Sequence, residues 1–293
     1  MNSRQVLDKK LLRASFERAA DSYDQAAVLQ REISNRMLSR LEYIKYQPDV
    51  IIDAGSGTGY GMQQLAKRYP KSRLIAMDIA WAMLSHARPN TAWWQRIVPL
   101  QQQHTHYVCA DIEQFPIQND SVGMIWSNLA LQWCNDLQHT FAEMHRILRA
   151  DGLLMFSTFG PDTLKELRQS FAKADSYDHV NRFVDMHDIG DLLLNNRFST
   201  PVMDMEYITL TYDDVISVMR DLKAIGAHNV VQGRRQGLMG KKHWQQAIDA
   251  YETLRRAGKL PATFEVVYGH AWKPRDPRSI LTPETRRQLG LPP

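Results

Sequence analysis

Short apolar runs alternate with longer amphipathic stretches through the middle of the chain. Residues 50–52 (VII) form an all-apolar run that ends at a glycine-rich turn, which is typical of a strand buried on both faces of a parallel sheet. The pattern then predicts strands at 73–78, 105–110, 121–126 and 152–159, with helices at about 58–69, 80–87 and 138–148. This alternation predicts right-handed crossovers and a doubly wound, mostly parallel α/β sheet.

The two ends of the chain follow a different pattern. Residues 5–45 predict two helices, separated by a break at Asp21-Ser22-Tyr23-Asp24. Towards the other end the pattern predicts helices at 162–174 and 185–195, strands at 203–210 and 264–272, and a mostly helical block at 212–258 between those two strands. The prediction therefore totals seven strands, with N-terminal helices and a helical cap between the last two strands.

Four units follow from this pattern. They are N-terminal helices and a lid at 1–45, a ligand-binding α/β core at 46–160, a part that completes the sheet and carries the cap at 161–273, and a flexible tail at 274–293. Residues 89–104 interrupt the core and are predicted to be a surface excursion in which Trp93 and Trp94 pack as anchors.

Composition narrows the class of protein. With 293 residues, 44% of them hydrophobic, the chain can bury one sizeable core, and a net charge of +4 does not indicate a nucleic-acid binder. Cys109 and Cys134 lack the spacing of a zinc site or a disulfide framework, which favours a reducing compartment and no bound metal. The charged N-terminus and the lack of any run of eighteen apolar residues lead us to expect a cytoplasmic protein without a membrane anchor.

The turn after the first strand of the core is Asp53-Ala54-Gly55-Ser56-Gly57-Thr58-Gly59. Glycines there let the backbone approach a ligand closely, and the following helix offers free amide donors. A dinucleotide fingerprint needs another glycine three residues after the second, where Tyr60 stands instead, and no Gly-Lys-Ser/Thr closes a phosphate loop. Taken alone, the turn is also compatible with a tight strand-to-helix connection that binds nothing.

Carboxylates follow the next two strands as well. Asp78 ends the second strand, where it can accept both hydroxyls of a ribose, and Asp111 with Ile112 ends the third, where they suit the amino edge and face of an adenine. Each aspartate taken singly is typical of a helix cap. Three at successive strand ends favour a ligand, because open α/β sheets bind at the carboxyl edge of their strands.

Residues 45–160 resemble the class I S-adenosylmethionine-dependent methyltransferases, a Rossmann-like family whose motif is an acidic residue before a Gly-x-Gly-x-Gly turn. The resemblance implies S-adenosyl-L-methionine as cofactor. It also implies that Gly55, Gly57 and Gly59 lie against the methionine part of the cofactor and that Asp53 supports the turn. Asp78 would bind the ribose hydroxyls, and Ile79 would pack on the adenine. Asp111 and Ile112 would contact the amino edge of the adenine, and Asn128 would face both cofactor and acceptor.

Further segments are similar to the malonyl-acyl carrier protein methyltransferases of biotin synthesis. They lie at residues 16–24, 127–133, 157–164 and 222–229, within a match over about 11–230. Mitochondrial complex I assembly factors, with a branch thought to hydroxylate arginine, share several of these segments, and a small-molecule methyltransferase is the other alternative. Ala54 and Ser56 depart from the bulkier aliphatic residue and the cysteine often found in the family's turn.

The resemblance implies methyl transfer to the free carboxylate of a malonyl thioester. That carboxylate is ionised near neutral pH, since carboxyl pKa values are roughly 4, so no general base is needed. An Arg, a Lys or a phenol would grip it, and the candidates are Arg182, Lys223 and Tyr23, the last as a positioning or lid residue. The alternatives are solvated surface charges and a packed core tyrosine.

Residues 220–242 hold six basic residues and one acid, Asp221. This basic lobe could steer an acidic acyl carrier protein that bears the malonyl thioester, although a solvated helical face explains the charges equally well. Malonyl-CoA is the alternative carrier, and the sequence does not distinguish the two.

Overall fold

Seven strands form one sheet in the computed structural model, which describes residues 6–88, 105–225, 237 and 239–275. The strands are β1 Val50–Ala54, β2 Arg73–Asp78, β3 Thr105–Cys109, β4 Val122–Asn128, β5 Leu148–Phe159, β6 Ser199–Tyr212 and β7 Leu260–Trp272. Their order is β3-β2-β1-β4-β5-β7-β6; β1 to β5 run parallel, and β7 runs antiparallel to both β5 and β6. The seven-stranded, mostly parallel α/β fold expected from the sequence is confirmed.

Nine α-helices accompany the sheet within the described residues. They are α1 Lys9–Ala26, α2 Val28–Arg40, α3 Tyr60–Arg68, α4 Trp81–Ala87, α5 Leu137–Ile147, α6 Lys165–Ala172, α7 Met186–Asn195, α8 Val215–Ala224 and α9 Lys241–Glu252. Buried side chains form two large apolar clusters, one containing Ile51 and the other its strand neighbour Ile52. Successive side chains of a strand point to opposite faces, so the two clusters lie on opposite faces of the sheet. Helix residues contribute to both clusters, and the helices therefore cover the sheet on both sides.

Strand β1 lies at the centre of the parallel part of the sheet. All five of its residues are buried, and Ile52 pairs with Ile75 of β2 on one side and Ile125 of β4 on the other. The chain winds from β1 through β2 to β3 in one direction and from β4 to β5 in the other. The connections therefore diverge at the carboxyl ends of β1 and β4, where such sheets form a crevice.

The predicted helix break at Asp21-Ser22-Tyr23-Asp24 is wrong, because α1 continues through it to Ala26. The turn-forming side chains find partners outside the helix: Asp24 accepts a 2.5 Å hydrogen bond from Thr58, and the Ser22 hydroxyl lies 3.2 Å from the carbonyl of Ala224. The change of direction occurs at Ala27, whose N–H still bonds to the Tyr23 carbonyl. Tyr23 thus lies in the last turn of α1 and not between two helices.

Several predictions lie outside the described residues. These are the excursion at 89–104 with Trp93 and Trp94, the tail from 276 onward, and, within the predicted cap, residues 226–236 and 238, which include Arg234 and Arg235. No helix in the part of the chain that the structure describes is both long and apolar enough to cross a bilayer.

Candidate active site

The glycine turn that follows β1 has a backbone that other residues rarely adopt. The φ angles of Gly55, Gly57 and Gly59 are 84°, 53° and 88°, and a Cβ built on Gly55 would lie 2.3 Å from that of Ala130. The amides of Gly55 and Ser56 donate to the carbonyl of Met77, at 2.8 and 3.0 Å. The turn is therefore held tightly against the ends of β2 and β4, and glycine is required for the close approach.

Two carboxylates are buried beside this turn. Asp78 is 8% exposed and accepts 2.9 Å hydrogen bonds from the amides of Gly57 and Ala80. Burial raises the pKa of Asp78 to about 6, and burial together with the charge of Asp78 raises the pKa of Asp53 to about 8. Positive charge brought next to Asp78 would favour its ionised form, whereas Asp53, with the higher pKa, is mostly protonated at neutral pH and below.

A cavity of about 580 Å³ opens at the carboxyl edge of the sheet. Most of the residues that the sequence assigned to a cofactor line it: Gly55, Gly57, Asp78, Ile79, Asp111, Ile112 and Asn128, together with Tyr23. Asp53 lines an adjoining cavity of about 440 Å³, which also borders Gly55, Gly57 and Asn128. Gly59 lines neither cavity and is instead the N-cap residue before α3, where a Cβ would come 2.9 Å from that of Ala87.

The two cavities suit a ligand that joins a nucleoside to an amino acid. The larger one offers the Asp78 and Asp111 carboxylates next to the apolar side chains of Ile79 and Ile112. The smaller one is polar: Ser34 Oγ, Ser56 Oγ and Trp126 Nε1 are buried there with no partner among the described residues. Buried polar atoms without partners are rare in folded proteins, so these are the atoms that a charged amino-acid group would satisfy.

Helix α1 lies along the edge of the larger cavity and is held there by side-chain contacts. Lys9 Nζ lies 3.0 Å from Asp111 Oδ1 and pairs also with Glu113. Farther along the helix, the Glu17 carboxylate accepts from the amides of Trp81 and Ala82, at 2.8 and 2.9 Å, and so caps the start of α4. These contacts fasten α1 to the two loops that carry the predicted adenosine-binding residues.

A second, larger cleft of about 1180 Å³ lies next to these cavities. Trp133 lines both this cleft and the larger cavity, while Gln30 lines both the cleft and the smaller cavity. The cleft is mainly apolar, and the described residues that line it are Gln30, Gln132, Trp133, Phe159, Thr163, Leu164, Leu167, Asp178, His179, Val180, Asn181, Phe183, Met219, Leu222, Ile225 and Phe264. An acceptor bound in it would reach the two cavities at Trp133 and Gln30.

The structure does not bring Arg182 or Lys223 into the lining of this cleft. The Arg182 side chain is 56% exposed, and its Nη2 lies 3.5 Å from the carboxylate of Asp178, which does line the cleft. Lys223 is exposed on α8, whose Met219 and Leu222 face the cleft. Both basic residues thus lie beside the cleft, and their proposed contact with an acceptor stays a prediction.

Known proteins match the chain along nearly its whole length. A family model described as a methyltransferase domain matches residues 52–156. A protein of Nitrosospira multiformis is 64% identical over 99% of this chain and 97% of its own length, and one of Gallionella capsiferriformans is 60% identical over 92% of each chain. Both are named malonyl-acyl-carrier protein O-methyltransferase. The chain belongs to this family.

Membership in the malonyl-acyl-carrier protein O-methyltransferase family confirms two predictions. The chain is an S-adenosylmethionine-dependent methyltransferase, and S-adenosyl-L-methionine is its cofactor. The assembly-factor and small-molecule alternatives are not favoured by relatives of this identity and coverage. Among solved structures, the YcgJ protein of Bacillus subtilis superposes with a TM-score of 0.55 over 82% of this chain and 98% of its own. At 14% identity, this likeness supports the fold alone.

Several lining residues of this family member were not predicted from its sequence. Lys9, Leu12 and Phe16 of α1 line the larger cavity, together with Met83 and Trp133. Phe16 and Trp133 belong to the segments that carried the family resemblance, and their rings meet edge to face with centroids 5.6 Å apart. Lys9 had no such signal, because its partner Asp111 lies 102 residues away in the chain.

Proposed function

We propose that this methyltransferase transfers the methyl group of S-adenosyl-L-methionine to the free carboxylate of a malonyl thioester carried on acyl carrier protein. The observation that carries the proposal is the apolar cleft that shares Trp133 and Gln30 with the cofactor cavities, in a chain whose close relatives are named for this substrate. As the sequence resemblance implies, the reaction would be an early step of biotin synthesis, and the charged N-terminus leads us to propose the cytoplasm as its location.

The cofactor roles are proposed residue by residue. The glycine-turn backbone at Gly55 and Gly57 would lie against the methionine part, with Asp53 below it and Gly59 setting the start of α3. Asp78 would accept from the ribose hydroxyls, because its carboxylate is already oriented by two backbone amides. The remaining contacts would come from Ile79, Asp111, Ile112 and Asn128, all of which line the larger cavity.

The chemistry asks little of the protein beyond orientation and the exclusion of water. When bound, S-adenosyl-L-methionine supplies a methyl group that its sulfonium has already activated. The acceptor carboxylate is ionised near neutral pH, so the chain need not remove a proton. Helix α1 closes the cavity edge through Lys9 and Glu17, and the aromatic rings of Phe16 and Trp133, which line the cavity, would exclude water from it.

Tyr23 is the proposed positioning residue on the lid. Its ring lies over the glycine turn, 3.8 Å from the place where a Cβ of Gly57 would be. Burial and the nearby charges of Asp78 and Asp24 raise the pKa of Tyr23, so its phenol stays protonated and can donate a hydrogen bond to an acceptor carboxylate. Arg182 and Lys223, beside the cleft, are proposed to draw the same carboxylate in.

The carrier protein would dock beside the cleft. Helix α8 lines the cleft with Met219 and Leu222 and exposes two basic side chains, Arg220 and Lys223. Two more exposed basic residues, Lys241 and Lys242, lie at the start of α9. Complementary charge accelerates association and orients the partner. An acidic carrier protein is therefore the partner that this surface suits, and malonyl-CoA is the alternative.

The test is methyl transfer from labelled cofactor to a malonyl-carrier protein, read as a base-labile methyl ester. We expect Tyr23→Phe, Arg182→Ala and Lys223→Ala to lower turnover while cofactor affinity stays within about threefold. Arg73→Ala is the matched control, because Arg73 is exposed at the start of β2, at the opposite edge of the sheet. The proposal would be contradicted if the wild-type protein methylated free small acids at least as fast as it methylates the malonyl-carrier protein.

A further inference from the structure

One buried carboxamide in the cleft lacks a hydrogen-bond partner. Asn181 is 7% exposed, lines the cleft, and its Oδ1 is buried without a partner among the described residues. It lies in the irregular segment between α6 and α7, where its neighbours hold it in place: Val180 is buried, and the Phe183 ring packs edge to face on Phe159 with centroids 5.7 Å apart. The side chain therefore faces the cleft from a backbone that is anchored next to it.

The other polar side chains around the cleft are mostly paired within the protein. The Gln132 amide donates to the Leu129 carbonyl at 2.8 Å and its oxygen accepts from Thr158. The Thr163 hydroxyl bonds to the carbonyl of Glu265, and His179 lies 2.7 Å from Asp175. Only Gln30, at the junction with the cofactor cavity, shares with Asn181 an unpartnered buried oxygen among the described lining residues.

The missing partner of Asn181 Oδ1 must be a donor, and this requirement selects one part of the substrate. An ionised malonyl carboxylate and a thioester carbonyl can only accept hydrogen bonds. The pantetheine arm that carries the thioester contains secondary amides, and their N–H groups donate. The apolar side chains of Phe159, Leu167 and Leu222 around the same cleft suit the methylene segments of such an arm.

We propose that the cleft binds the pantetheine arm of the acceptor and that Asn181 accepts a hydrogen bond from one of its amide N–H groups. This inference rests on the proposed function, since it assumes a thioester acceptor. It assigns Asn181 to recognition of the arm and leaves the reacting carboxylate to the end of the cleft at Trp133, which also lines the larger cavity. Acyl carrier protein and coenzyme A share the arm, so the residue would serve either carrier.

The test compares acceptors that carry or lack the arm. Wild type and Asn181→Leu are assayed with malonyl-acyl carrier protein, malonyl-CoA, malonyl-pantetheine and malonyl S-ethyl thioester, which has no amide. Leaving the donor of the arm unpaired should lower kcat/KM about tenfold to a hundredfold, mainly through KM, for the three arm-bearing acceptors. The S-ethyl thioester should change by less than about threefold.

A second variant separates acceptance from donation. Asn181→Asp keeps a side-chain acceptor and loses the amide donor, so it should retain more activity towards arm-bearing thioesters than Asn181→Leu does. An Asn181→Asp protein as impaired as Asn181→Leu would overturn the proposal, because the amide would then act as a donor. Cofactor Kd and thermal midpoint are measured for both variants, to confirm that the folded, cofactor-binding state is intact.

The remaining outcomes are also decisive. An equal loss with the arm-bearing and the S-ethyl acceptors overturns the arm assignment, as does a loss confined to the carrier protein, which would indicate contact with the protein surface. If the wild type methylates none of the four thioesters, the proposed function itself fails, and this result is distinct from any difference between the variants.

Discussion

Cofactor binding should weaken at acidic pH because of one carboxylate, Asp78. Burial raises the pKa of Asp78 to about 6, from an ordinary value of 3.8. In its proposed role, Asp78 can accept from both ribose hydroxyls only when its carboxylate is ionised, and the net positive charge of S-adenosyl-L-methionine favours the same form. Affinity should therefore be full above the raised pKa and decline as pH falls through it.

The expected size follows from linkage. With a pKa of about 6 in the free protein, Asp78 is mostly ionised at pH 7 and about nine-tenths protonated at pH 5, so Kd should rise about tenfold between these values, or about 1.4 kcal/mol. The amino and carboxyl groups of the cofactor have pKa values near 8 and below 4, so neither titrates appreciably between pH 5 and pH 7.

Isothermal titration calorimetry at half-unit steps from pH 5 to pH 7.5 measures the effect. At pH 5, paired buffers of different ionisation enthalpy should reveal the release of nearly one proton on binding. Asp78→Asn should bind weakly at every pH and lose this pH dependence, whereas Asp191→Asn, a change at an exposed position of α7, should behave as wild type. A wild-type Kd that is flat from pH 5 to pH 7, or an Asp78→Asn protein that keeps the slope, would refute the reasoning.

Three further substitutions test the turn, the lid and a helix. Gly55→Ala places a Cβ 2.3 Å from that of Ala130 at a φ of 84°, so thermal unfolding should show a loss of about 2–3 kcal/mol, and an unchanged midpoint would contradict the tight turn. Lys9→Met removes the ion pair with Asp111, so stopped-flow measurements should show cofactor release about three- to tenfold faster; an unchanged rate would mean that the pair does not hold the lid. Gly190→Ala, inside α7 with only Met203 at 4.0 Å, should stabilise the protein by about 0.5–1 kcal/mol in urea unfolding, and destabilisation would show hidden crowding.

The sequence by itself determined the sheet and brought together most of the predicted site residues, which line one cavity at the carboxyl edge of the sheet. The apolar runs at the strands and the amphipathic spacing of the helices are local signals, and they placed all seven strands. Asp78 and Asp111 could be predicted because parallel strands bring their carboxyl ends to one edge, so a position along the chain already implies a position in space. The glycine turn added a backbone requirement, and the positive φ angles of Gly55, Gly57 and Gly59 agree with it.

Only the tertiary structure decided what covers that edge and what lies beside it. Ser22 and Asp24, on either side of Tyr23, predicted a break between helices, but both lie within α1. Asp24 accepts a hydrogen bond from Thr58, and Ser22 donates one to the carbonyl of Ala224 at the end of α8. Lys9 meets Asp111 across 102 residues, and the cleft that contains Asn181 is assembled from segments between residues 30 and 264. Such contacts leave no periodic trace in a sequence, because they depend on how separate elements pack and not on the conformation of any one of them.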